Sequence, residues 1–355
     1  MKRRSFLQAL AAGSAISVFP FAHAQGAHWR TFEVTTRVEI VGAGPSRVWL
    51  PVPTVESGYQ KVIFNRFTTP GRGAIVKDAR YGAGILAVEL QGAEAPVVEL
   101  VSRFATRDRA VTSGKSTGER LSAVERQLYL SPTDLLPLDG IVKDTAMEVT
   151  RGKKNELDRA RAIYEWIVDN TYRDAKVRGC GVGDIKAMLE TRNLGGKCAD
   201  LNALFVGLAR AAGIPARDVY GIRVADSRLG YKSLGKSGDI TRAQHCRAEF
   251  FLQGTGWVPV DPADVRKVVL EEDGGLPLSD AKVEAARERL FGSWEMNWLG
   301  YNYAHDVALP GASRGDLPFF MYPCGEVVEQ GKPTRLDSLD PDNFMYKISA
   351  REILV

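Results

Sequence analysis

One run, GGKCADLNALFVGLARAAGIPAR at residues 195–217, constrains the fold of this chain more than any other. Two glycines turn the backbone and a cysteine follows. Leu201, Leu204, Phe205, Leu208 and Ala212 then recur at helical spacing. Gly213 and Pro215 supply the stop signal. Cys198 therefore falls in the first turn of a predicted helix. There the positive end of the helix dipole and unpaired N–H groups favour thiolate over thiol. A nucleophilic cysteine would be built at such a place.

The chain has 355 residues, enough for two domains, with 45% hydrophobic and 25% charged residues, as in ordinary globular proteins. Its first segment reads as an export signal: a basic start (Lys2, Arg3, Arg4), an apolar middle and a small-x-small end at Ala22-His23-Ala24. Arg3 and Arg4 followed by Ser5, Phe6 and Leu7 resemble a twin-arginine signal. The expected location is periplasmic or secreted. Cleavage after Ala24 would take away Lys2, Arg3 and Arg4 and lower the formal charge from +4 to +1. The basicity is thus no argument for a nucleic acid or an anionic membrane as partner. No internal stretch reaches the roughly 18 apolar residues of a membrane span.

The rest divides into an N-terminal β domain over residues 25–115, a catalytic core over 122–270 and a C-terminal extension over 271–355 that packs on the core. FEVTTRVEI, RVWLPVP, GILAVELQG and PVVELVSRF alternate with glycine-rich breaks and predict a small sandwich. Residues 107–121 read as a linker. NELDRARAIYEWIVDNTY predicts a helix capped by Asn155, and a short helix is expected near Ile185. RDVYGIRV, CRAEFFL and GWVPVDP then read as strands, so the core is an α+β domain with a mostly antiparallel sheet.

Of four histidines, His23 lies in the signal, His28 follows it, and His305 sits in YNYAHD. His245, at the start of a predicted strand, is the candidate base. Asp261 closes the next strand sixteen residues on, and the QGTG turn would bring the two alongside. A carboxylate there holds the imidazole tautomer. Cys198, His245 and Asp261 then supply nucleophile, base and orienter in that chain order.

The remaining cysteines are Cys180, Cys246 and Cys324. Cys180 and Cys246 are expected near each other, with a disulfide between them as one outcome. Zinc on Cys180, Cys198, His245 and Cys246 fits no short-range ligand spacing, so no metal or other cofactor is expected. GCGVGD at residues 179–184 lacks the lysine of a phosphate loop. Asp200 reads as a first-turn acid that suits the helix dipole. Arg228, Lys232 and Lys236, in the loop over residues 225–242, read as a solvated face.

Residues 128–268 resemble the transglutaminase-like cysteine enzyme superfamily. The resemblance is carried by GGKCADLNALF with LARAAGIPAR, then QHCRAEFFL, then GWVPVDPADVRKV, in that order. It implies a core shared with papain-type proteases, an N-terminal β domain as in bacterial members, and a Cys198–His245–Asp261 triad. The position after Cys246 is often aromatic in relatives and is Arg247 here, which bears on the substrate-facing wall. The expected activity is cleavage of peptide or isopeptide amides through a thioester. Amine-dependent acyl transfer and a non-catalytic peptide- or glycan-binding module are the competing readings. The expected partner is a peptide or protein, with cell-envelope peptide the nearest in that compartment.

Overall fold

The structure is a computed structural model that describes residues 28–40, 44–92, 95–111 and 117–354; the export signal read at residues 1–24 lies outside them. Two five-stranded antiparallel sheets form the sandwich. The first runs Gly238–Asp239, Tyr346–Ile353, Arg30–Glu39, Val97–Thr106, Gln60–Thr68. The second runs Lys332–Arg335, Cys324–Glu329, Ser46–Val52, Gly84–Leu90, Arg72–Lys77. Val97–Thr106 shows why its residues make a strand. Every second side chain is buried, with Val98, Leu100 and Phe104 pointing inward. Phe104 stands opposite Phe32 in register, and the two rings stack at 5.8 Å.

The C-terminal residues also take part in the sandwich. Tyr346–Ile353 pairs with Arg30–Glu39 (Thr36 opposite Ile348), and Cys324–Glu329 pairs with Ser46–Val52 (Trp49 opposite Cys324). Both ends of the chain therefore build one sandwich. The loop over 225–242 is tied to it as well, because Gly238–Asp239 pairs with Tyr346–Ile353.

The core holds a four-stranded antiparallel sheet in the order Gly256–Val260, Gln244–Leu252, Ala216–Arg223, Trp298–Asn302. The helix Cys198–Ala211 packs on it, with helices Gly140–Val149, Glu156–Asn170 and Pro262–Glu271 around it. The expected apolar stripe is accordingly a helix buried on all sides from Cys198 to Arg210. It ends as its sequence predicts. Gly213 takes φ +82°, its N–H donates to Arg210 O at 2.9 Å, and Ile214 N–H donates to Ala209 O at 2.9 Å. Asn155 caps Glu156–Asn170 by accepting from Asp158 N–H at 2.8 Å. The sandwich meets the outer face of the core sheet through Val55 and Tyr59, which pack against Val219, Trp294 and Trp298. Among the described residues, no helix is long and apolar enough to cross a membrane.

Candidate active site

Cys198 is the first residue of its helix and is 4% exposed. The turn that presents it is held by Asp200. Its Oδ2 accepts from Lys197 N–H at 2.8 Å, and its Oδ1 accepts from Val182 N–H and Gly183 N–H, both at 2.9 Å. Asp200 thus fastens the GCGVGD loop to the helix start, beyond the dipole role read from sequence. Burial pushes its carboxyl up, and the three donors hold the charge against that. The closeness explains two glycines. A Cβ on Gly181, which has φ +92°, would lie 1.8 Å from Asp200 Oδ2, and one on Gly196 would lie 2.5 Å from Asp200 Cβ.

His245 lies on the strand Gln244–Leu252, and Asp261 is the N-cap of Pro262–Glu271. The register pairs Ala248 with Val260, so the chain just beyond Val260 runs toward His245. His245 Nε2 lies 2.7 Å from Asp261 Oδ2, both fully within the protein. Asp261 Oδ1 accepts from Asp264 N–H at 3.0 Å and from Asn202 Nδ2 at 3.2 Å. With Nε2 committed to Asp261, Nδ1 is the ring nitrogen left for Cys198.

Sequence reasoning missed a second carboxylate. Asp264 Oδ2 lies 3.4 Å from His245 Nε2, and its Oδ1 receives Arg223 Nη2 at 2.6 Å. The signal was available as DPAD, a cap residue with an acid three positions on. Asn202, also missed, lies four residues after Cys198 and so on the same helix face. Arg247 is 2% exposed and sits against Trp294 and Trp298, 3.6 Å from Asp261 Oδ2. The position that is often aromatic in relatives is thus a buried one here, packed against two tryptophans. Arg228, on the exposed loop, lies within 3.5 Å of Asp108.

Cys180 and Cys246 do lie near each other, and Cys198 lies with them: the three Sγ atoms are within 4.8 Å of one another. All four cysteines are free thiols, so the disulfide considered between Cys180 and Cys246 is not formed.

The electrostatics divide the roles. Burial opposes a charge on Cys198, but hydrogen bonds from the Cys180 and Cys246 thiols and from His245 outweigh it and hold its thiol well below the ordinary value. Burial also opposes the His245 cation, as does Arg223. Asp264 and Asp261 overcome both and push it up to about 9. Burial raises Cys246, while a hydrogen bond to Cys198 raises Cys180, so these two keep their protons. Together these shifts favour a thiolate on Cys198 and a proton on His245. Ala199 N–H donates to Cys180 O at 2.9 Å and is thereby occupied.

A model of the transglutaminase-like superfamily core matches residues 143–262. An uncharacterized protein of Haemophilus influenzae is 36% identical over 344 residues, covering 91% of each chain. Among solved structures, a candidate cysteine protease from Cytophaga hutchinsonii superposes with a TM-score of 0.57 at 13% identity, over 92% of both chains, which is a likeness of fold. The periplasmic domain of TgpA from Pseudomonas aeruginosa overlaps more loosely, with a TM-score of 0.37 at 14% identity over 73% of this chain and 92% of that one.

Proposed function

The chain belongs to the transglutaminase-like superfamily, and from that premise we propose that it is an exported thiol hydrolase that cleaves peptide or isopeptide amides, with Cys198 as nucleophile, His245 as acid and base, and Asp261 as orienter. The observation that carries this reading is the 2.7 Å contact of buried His245 with Asp261 beside a thiol whose ionisation is favoured.

The thiolate of Cys198 attacks the amide carbonyl, and the carbonyl π pair moves onto oxygen. In this reading the Cys198 N–H at the helix N-terminus donates to that oxyanion. Collapse expels the amine, which takes the proton from the His245 imidazolium. Neutral His245 then draws a proton from water as the water attacks the thioester. The acid leaves, and the ion pair is restored. A primary amine in place of water would give acyl transfer by the same steps.

Cys198→Ala supplies the test. Wild-type protein should be labelled by a thiol-reactive amide mimic and should turn over some members of a panel of cell-envelope peptides. The variant should do neither, with rates lower by about 10⁴-fold or more. Labelling that survives the substitution would remove Cys198 as the nucleophile. Capture of a labelled primary amine in preference to water would move the protein to the acyl-transfer reading.

A further inference from the structure

Two of the three clustered thiols form no bond to the substrate in the chemistry above. We propose that Cys180, Cys198 and Cys246 form a site for a thiophilic d¹⁰ cation, for which Zn²⁺ is the probe, and that a cation bound there blocks the enzyme. The blocking rests on the assignment of Cys198 as nucleophile; the site itself does not.

The argument starts from placement. The three Sγ atoms come from a loop, a helix start and a strand, and all lie within 4.8 Å of one another. In tetrahedral zinc–thiolate geometry, with Zn–S near 2.3 Å, ligand sulfurs stand about 3.8 Å apart. Side-chain rotation covers that difference. A disulfide requires a separation near 2 Å, a much larger approach. The backbones that carry the sulfurs are held in place. Cys180 O accepts from Ala199 N–H at 2.9 Å, and Cys246 O accepts from Asn202 Nδ2 at 2.8 Å. All three residues are 5% exposed or less, so the sulfurs face one another and not bulk water.

Charge and ligand type agree with this. Three thiolates around a divalent ion leave one negative charge, and His245 stands next to it with one positive charge. Binding takes up Zn²⁺ at the existing Cys198 thiolate and releases two protons to solvent, one each from Cys180 and Cys246, with no change of oxidation state. Water completes the fourth position. The other cluster of ligand-type residues, His245 with Asp261 and Asp264, is a weaker case. Arg223 already neutralises Asp264 at 2.6 Å, and Arg247 lies 3.6 Å from Asp261. Sequence spacing does not reveal the thiol site, because its ligands are 18 and 48 positions apart along the chain.

The experiment titrates Zn²⁺ against a chromophoric chelator with wild type, Cys180→Ser and Cys246→Ala, and records the thiolate-to-metal charge-transfer absorbance of Cd²⁺ on each. Wild type should bind one Zn²⁺ per chain and show the Cd²⁺ intensity of three thiolates. Each variant should bind Zn²⁺ on the order of a hundredfold more weakly. The Cd²⁺ band on wild type answers the question even if a variant fails to fold. Equal Zn²⁺ affinity in wild type and both variants, no bound zinc in wild type, or a Cys180–Cys246 disulfide in the purified protein would each overturn the site. Amide turnover is measured alongside. A chain that binds Zn²⁺ through all three sulfurs yet cleaves nothing keeps the site and loses the hydrolase reading. A chain that cleaves amides but ignores Zn²⁺ does the reverse.

Discussion

Among the described residues stand two buried histidine–aspartate pairs, alike in kind, and they differ in how the carboxylate is hydrogen-bonded. His245 Nε2 meets Asp261 Oδ2 at 2.7 Å in a hydrogen bond, and the carboxylate accepts further donors from Asp264 N–H and Asn202. His305 Nε2 approaches Asp218 Oδ2 at 3.3 Å, but neither Asp218 oxygen accepts a hydrogen bond. His305 is instead enclosed by Tyr220, whose hydroxyl lies 3.3 Å from Nδ1, and by the Tyr81 ring. Both histidines are under 5% exposed. What distinguishes His245 is a hydrogen-bonded Cys198 thiol and a carboxylate fixed by its own hydrogen bonds, the two features on which its proposed role as base rests.

The strongest way to break this comparison is to remove each histidine. His245→Gln should lower kcat/KM by about 10⁴-fold, while His305→Gln should leave it within a few-fold and act on stability alone. Amide turnover and thermal melts on both variants read this directly. Equal losses would mean that the two pairs share one role.

A smaller effect is expected from the carboxylates. Asp261→Asn should reduce kcat by on the order of 10²–10³-fold, less than in a triad with one carboxylate, because Asp264 also faces His245 at 3.4 Å. The sign of the pH effect follows from His245 being pushed up to about 9. Its proton, needed by the leaving amine, is present below that value and lost as pH rises through it, so activity should fall on the alkaline side near 9. Removing either carboxylate favours the neutral ring and should move that limb to lower pH, in Asp264→Asn as well as in Asp261→Asn. Any stability from the His245 ion pair is likewise full below the free histidine value near 6.5 and lost through about 9. A pH profile of kcat/KM for the three proteins checks the direction.

The smallest effects sharpen the contrast. Asn202→Ala leaves Cys246 O and Asp261 Oδ1 short of a donor and should destabilise by about 1–3 kcal/mol, with a lesser fall in kcat than Asp261→Asn. Asp218→Asn should leave kcat unchanged and change stability by no more than about 1–2 kcal/mol. Denaturant melts with parallel kinetics separate the two.

Much of this site was readable because its parts obey local rules. The Cys198 helix announces itself through apolar spacing and Gly213, and Asn155 through its place before an apolar run. His245 and Asp261 are each at a strand end that alternation and a turn make visible. Cys180 was expected near Cys246. Arg223 was not read as a neighbour of the site because it approaches from a separate strand, and Asp264 was passed over although it follows Asp261 by three residues in the same helix turn. The tail strands were missed for a similar reason. DLPFFMYP reads as a strand and does contain Leu317–Phe319. Tyr346–Ile353 does alternate, with Tyr346, Ile348 and Ala350 inward, but nothing local marks its partner as Arg30–Glu39, some 300 residues away, or that of Cys324–Glu329 as Ser46–Val52.

The sequence by itself determined the helix that carries a thiol at its N-terminus, the strands that follow, and the order of three chemically matched residues. These rest on backbone periodicity and capping, which act within a few residues. The tertiary structure alone decided which histidine meets a hydrogen-bonded carboxylate, which thiols surround Cys198, and that residues near 350 pair with residues near 34. Those outcomes depend on strand register and packing between segments tens to hundreds of residues apart, where burial of complementary surfaces, and not local preference, makes the choice.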